Sequence, residues 1–174
     1  MKVLKIILYV ISGIIVLFLV AALFFPSEYR IEQSMAINAP DSLIWAQISD
    51  FENRENWDPW NSMDPSATQE ISDPSSGVGA EYSWNGEVIG TGKITYLEME
   101  ENRYIKSKLV FFTPQSGEAD VTWRLEPGSD GITVTWSVEG GLSYPIERYL
   151  AGMIEDQISA SFVEGLNKLK TVCE

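Results

Sequence analysis

The side chains of this chain that could move protons are carboxylates and phenols, because it has no histidine and a single cysteine, Cys173. Without imidazole, His-based acid–base catalysis and imidazole metal ligation are excluded. One cysteine also excludes an internal disulfide. Glu147, Glu155 and Asp156 fall on or beside one apolar-periodic segment, and Asp50, Asp58 and Asp64 surround the run Trp57-Asp58-Pro59-Trp60. Two carboxylates can transfer protons when burial separates their pKa values. With 25 acidic residues, however, proximity arises by chance. Carboxylates are seldom buried, so each reads as part of a solvated surface. Asp73 and Glu81 lack the spaced oxygen ligands of a calcium loop. No catalytic residue, metal site or cofactor is assigned.

The other chemistry available is apolar. Tyr82, Trp84, Ile94, Tyr96, Phe111, Trp123 and Trp136 lie on segments with strand periodicity, and Tyr149 and Met153 on a terminal helical segment. On a shared concave face these nine would line a pocket that encloses a hydrophobic ligand. The same pattern also fits a filled core, and spacing does not separate the two. Trp57 and Trp60 bracket Pro59 and read as a structural plug, with a lid or a lipid-touching wedge as the alternative. Gly152 and Gly165 interrupt the terminal helix and either allow close contact with a sheet or leave room for a ligand.

These residues must be positioned by a sheet and one long helix. Tyr29 to Ile37 alternates as a strand. Asp41 or Ser42 can cap a helix carrying Leu43, Ile44, Ile48 and Phe51, and a second short helix is expected over 50–57. Strands are expected over 67–72, 79–85, 90–99, 103–112, 118–127 and 131–139, separated by Gly, Asn and Pro turns. Val121, Trp123 and Leu125 oppose Thr122, Arg124 and Glu126, the pattern of an antiparallel sheet covered on one face. After Gly140-Gly141, the residues Ile146, Leu150, Met153, Ile154, Ile158, Phe162, Leu166 and Leu169 recur at helical spacing, and Pro145 suits the first turn. The order predicts an α+β fold: a strongly twisted antiparallel sheet of about seven strands wrapped around a long C-terminal helix, with two short helices after strand one.

Composition divides the chain. Ile6 to Phe25 is twenty residues without a charge, long enough to cross the ~30 Å hydrocarbon core as a helix. Residues 1–25 therefore read as a transmembrane anchor, 26–28 as a linker and 29–174 as one domain of ordinary size. Lys2 and Lys5 precede the run, so the positive-inside rule places the N-terminus in the cytoplasm and the domain on the outer side. A cleaved signal peptide is the competing reading, but the run exceeds a usual signal core of ~7–15 residues. The remainder carries 10 basic and 25 acidic residues, a net of −15. Such a surface repels phosphate backbones and excludes a nucleic-acid role.

Several local runs carry a family resemblance. They are Ile37-Asn38-Ala39-Pro40 with Trp45, Ile48-Ser49-Asp50-Phe51, Trp57-Asp58-Pro59-Trp60, Gly77-Val78-Gly79 through Trp84, Gly90-Thr91-Gly92, Gly131 to Trp136, and Phe162 to Lys170. In this order they resemble the START-like, Bet v 1-like helix-grip superfamily (SRPBCC), in its polyketide cyclase/dehydrase and lipid-transport branch. The resemblance covers residue 29 onward; the apolar arm departs from the simplest members. It implies a cavity between sheet and last helix for an apolar or amphipathic ligand, and it carries no catalytic motif over. Three functions remain open: a membrane-tethered binding module for a hydrophobic small molecule or lipid, a cyclase or aromatase-like enzyme, and a protein-interaction module as in chaperone-activating relatives.

Overall fold

A computed structural model describes residues 2–174. Its first element, α1 (Lys2–Ala22), is exposed along nearly its whole length, and its length and composition suit a membrane span. Seven strands follow: β1 (Glu28–Ile37), β2 (Thr68–Ile71), β3 (Glu81–Asn85), β4 (Thr91–Glu100), β5 (Tyr104–Thr113), β6 (Gly117–Gly128) and β7 (Gly131–Gly141). They form one antiparallel sheet in the order β1-β7-β6-β5-β4-β3-β2. Every neighbouring pair except β1–β7 is consecutive in the chain, which is why short Gly and Asn turns suffice to build it. Between β1 and β2 lie α2 (Asp41–Ser49) and two 3-10 segments, Phe51–Asn56 and Trp60–Ser62. The helix-grip architecture expected from the sequence is thus present, together with the N-terminal apolar helix.

The terminal helix differs from expectation at its start. It is two pieces, α3 (Ile146–Tyr149) and α4 (Ala151–Cys173), broken at Leu150. α4 runs beside β1. Gln33 Nε2 donates to Ser159 Oγ at 2.6 Å, and the Asn38 amide donates to Glu174 Oε1 at 2.8 Å. The apolar stripe does what periodicity asks only from its middle onward. Phe162, Leu166, Leu169 and Cys173 are buried, whereas Ile146, Leu150 and Met153 are exposed.

The core is packed unevenly along the strands. At the end far from α1, the fully buried Ile37, Ile44, Ile105, Val134, Leu166 and Leu169 fill the space between sheet, α2 and α4. The outer face of the sheet is wet and holds the ion pairs Lys93–Glu81, Lys106–Asp120 and Lys108–Glu118.

The junction with α1 is fixed by hydrogen bonds. Tyr144 Oη donates to the Leu19 carbonyl at 2.7 Å and Tyr149 Oη to the Phe18 carbonyl at 2.6 Å. The Leu19 carbonyl is among the last four of α1, which lack intrahelical partners, so a phenol is a suitable cap there; Phe18 lies one residue further in. Ala22 is fully buried at this contact, and the Leu142 amide donates to the Ser27 carbonyl at 2.8 Å.

Candidate functional site: a cavity between sheet and terminal helix

Register sets which residues share a level in the barrel. One row crosses the sheet as Tyr29, Gly140, Ala119, Leu109, Ile94 and Tyr82, each paired with the next. It lies one residue from the start of β1, at the end where α1 joins. Tyr29, Leu109, Ile94 and Tyr82 from this row, with Val121 and Val138, form the sheet wall of a cavity of about 530 Å³. Trp84 and Phe111 add a further step outward, ring edge to ring face at 5.9 Å. Trp84 can lie across the sheet because Gly92 is its cross-strand partner. A Cβ at Gly92 would stand 2.4 Å from Trp84 Cζ2.

The opposite wall comes from α4 and the loop after α2. Gln157, Ile158 and Phe162 face Trp60, Asn61 and Met63. Phe162 stacks on Trp136 with centroids 3.9 Å apart and 6° between planes, and Trp60 meets both rings edge-on. Gly165 permits this packing: a Cβ there would stand 2.8 Å from the Trp136 ring and 3.2 Å from Pro59. Gly152 has open space around it, so only one of the two helix glycines serves close contact. The β3–β4 turn closes the side with Val88 and Ile89, held by Asp64. Asp64 Oδ2 accepts from the Val88 amide at 2.8 Å and Oδ1 from Ser66 Oγ at 2.8 Å. These bonds, the Val88 amide foremost, hold its pKa below the usual carboxylate value.

Polar groups at the wall are few. Asp58 is buried and lines the cavity, but its carboxylate is engaged by Arg54 Nε and by the Trp60 amide at 2.9 Å. Arg54 also stacks over Trp57 and Tyr82, at 5.5 and 5.0 Å from the ring centroids. Burial, the largest single influence, lowers the Arg54 pKa, but the charge of Asp58, the nearby Tyr82 and Tyr96 phenols and the hydrogen bond to Asp58 together raise it above the usual value. Burial pushes the Tyr82 phenol up to about 12 against a smaller downward pull from Arg54. The indole Nε1 of Trp136 is buried without a hydrogen-bond partner. Among the described residues, no group of three or more His, Cys, Asp or Glu is arranged to hold a metal ion. The wall is therefore mainly apolar and aromatic, with one neutralised charge pair, two phenols of raised pKa at Tyr29 and Tyr82, the amides of Asn61 and Gln157, and one unspent donor.

Of the nine residues read from the sequence as ligand-binding, Tyr82, Trp84, Ile94, Phe111 and Trp136 come together at this cavity. Four lie elsewhere. Trp123 stacks behind Trp136 at 4.4 Å and is sealed edge-on by Trp57, so it belongs to the filled core. Tyr96 stacks on Phe51 at 4.1 Å and donates its hydroxyl to the Ile48 carbonyl at 2.7 Å, also in the core. Tyr149 is spent on α1, and Met153 faces outward at 67% exposure. Trp57 is the plug that the sequence suggested, its indole N–H fixed on the Gln47 carbonyl at 2.9 Å. Trp60, read with it as plug, instead forms cavity wall. The alternation in β5, β6 and β7 already put Leu109, Val121 and Val138 on the inner face, and could have added them. Asp58 and Trp60 sit in a loop without periodicity; the sequence offered Asp58 as one of several carboxylates and Trp60 as plug or lid, but no spacing placed either at the cavity wall.

Residues 28–174 match the model of the family described as Polyketide cyclase / dehydrase and lipid transport. The chain belongs to this family. No curated protein matches it significantly. Protein CV1439 from Chromobacterium violaceum is similar at 18% identity and a TM-score of 0.60, over 86% of this chain and 99% of that one. Protein BH1534 from Bacillus halodurans is similar at 15% identity and a TM-score of 0.60, over 86% of this chain and all of that one. StfQ, a di-domain ARO/CYC from the steffimycin biosynthetic pathway, is similar at 9% identity and a TM-score of 0.64, over 84% of this chain and 51% of that one. At these identities the likeness is one of fold.

Proposed function

We propose that residues 29–174 form a domain that holds a hydrophobic small molecule, foremost a lipid, in the cavity between sheet and α4, without performing chemistry on it. In this reading α1 is retained as a single-pass anchor across residues 1–25. The N-terminus is cytoplasmic and the domain sits on the outer side. The observation that carries the proposal is the position of the hollow. The barrel is solid at its far end and open inside at the end where α1 joins. A ligand drawn from a bilayer would have a short path. The lining supports an apolar ligand, since a few hundred Å³ walled by aromatic and aliphatic side chains is the usual form of such sites. The orientation rests on Lys2 and Lys5 ahead of the span.

The test is native mass spectrometry of the full chain released from lipid nanodiscs. A bound mass that survives release, and that disappears when Leu109→Trp and Val121→Trp fill the cavity, is the expected result. No bound mass, or a mass that persists in the filled variant, would count against it.

Asp58 and Tyr82 at the wall support a second reading, a cyclase- or aromatase-like enzyme. Turnover of an added polyketide precursor that is lost in Asp58→Asn or Tyr82→Phe, while binding persists, would decide for chemistry.

A further inference from the structure

The stripe of the terminal helix is left uncovered where it begins. Ile146 is 63%, Leu150 40% and Met153 67% exposed, spaced over two turns of α3 and α4. This segment is also the one that grips α1, through Tyr144 and Tyr149. Phe24, directly beyond α1, is 86% exposed, and the next residue, Phe25, packs on Tyr149. Among the described residues, the domain's other nine lysines and arginines each have an ion-pair partner. Arg148 has none; it packs over Tyr144 at 5.4 Å, with its Nε buried and without a hydrogen-bond partner.

We infer that Ser143–Met153 is a second membrane contact, lying in the headgroup region beside α1. Ile146, Leu150, Met153 and Phe24 reach the acyl boundary, and Arg148 meets a lipid phosphate. The inference rests on the reading of α1 as a membrane span and goes beyond it, because a span alone does not require the domain to touch the surface. Three observations favour lipid over a protein as the occupant. The exposed apolar side chains are continuous with an apolar helix that is itself exposed along nearly its whole length. An amphipathic segment with apolar anchors and a cation lies naturally in the interface. Arg148 has no ion-pair partner within the domain among the described residues, and a lipid phosphate would supply one. Long cationic side chains at this depth extend toward phosphates. The contact also turns the hollow end of the barrel toward the bilayer.

The test uses the full chain in phosphatidylcholine nanodiscs, with Cys173→Ala as background and one spin label at a time. Labels go on Ile146→Cys, Met153→Cys, Ile11→Cys within α1, and Val172→Cys at the far end of α4. Collision rates with oxygen and with a water-soluble nickel complex report depth. The expected result is an oxygen-to-nickel ratio several-fold higher at 146 and 153 than at 172, approaching that at 11. Arg148→Glu should return 146 and 153 toward the value at 172. A lipid value at 11 with aqueous values at 146 and 153 overturns the surface contact and leaves the span standing. An aqueous value at 11 removes the span and the contact with it. Labels at 146 and 153 shielded from both reagents would show a second copy of the chain covering the segment, and would overturn the lipid assignment.

Discussion

The ring of Phe18, in the last turns of α1, stacks on the ring of Tyr149 with centroids 4.6 Å apart and 11° between planes. Phe25, just past α1, meets the same tyrosine with centroids 4.7 Å apart and 49° between planes. A residue that sequence periodicity offered as a ligand contact is therefore the pin between the apolar helix and the domain.

Tyr149→Ala should loosen the junction without emptying the cavity. It removes one aromatic pair worth about 1 kcal/mol and a hydrogen bond worth about 1 kcal/mol net. Hydrogen exchange should rise over residues 18–24 and 142–150, while the mass retained by the domain in native spectrometry stays the same. Loss of that mass with unchanged exchange would return Tyr149 to the ligand site.

The two helix glycines should respond with opposite signs. At Gly165 an added methyl meets the stacked Trp136 ring and Pro59. Gly165→Ala is expected to destabilise, because overpacking of roughly 1–3 kcal/mol outweighs the ~1 kcal/mol gain in helix propensity. Gly152→Ala meets nothing and should stabilise by up to ~1 kcal/mol. Urea midpoints of the two variants, at unchanged slope, measure both.

Alkaline pH should unfold the domain through its buried phenols. Tyr82 titrates near 10 when unfolded and at about 12 when folded. A raised folded pKa gives stability that is complete below about pH 10 and lost as pH climbs through about 12. Urea midpoints should fall across that window, and Tyr82→Phe should flatten the fall. An unchanged slope in the variant would mean that Tyr82 ionises freely in the folded state.

The sheet was legible because alternation is a local property. Val121, Trp123 and Leu125 announce one dry face whatever they pack against. What alternation does not contain is depth along the strand. Trp123 and Trp84 share a face, yet register pairs Trp123 with Ile105 and with Trp136, behind whose ring it is stacked away from the cavity, and puts Trp84 against Gly92 in the hollow half. That difference arises from pairing between strands far apart in the chain. Helical spacing has a similar blind spot. It put Met153 and Phe162 on one stripe, but both lie in α4, nine residues apart, which at 3.6 residues per turn is half a turn round the helix, so one is bare and the other buried. The loop from Trp57 to Met63 had no period at all. Its split into a plug at Trp57 and a wall at Trp60 comes from which way the two rings turn around Pro59.

The strap of phenol and amide hydrogen bonds from residues 142–149 to the end of α1 has a mechanical consequence. A transmembrane segment answers hydrophobic mismatch by tilting. Where a free hinge follows the segment, that tilt is absorbed and the attached body is indifferent to it. Here Tyr144 and Tyr149 couple the axis of α1 to the segment between β7 and α4, so with α1 as the proposed anchor a thicker or thinner bilayer would rotate the whole domain as a lever.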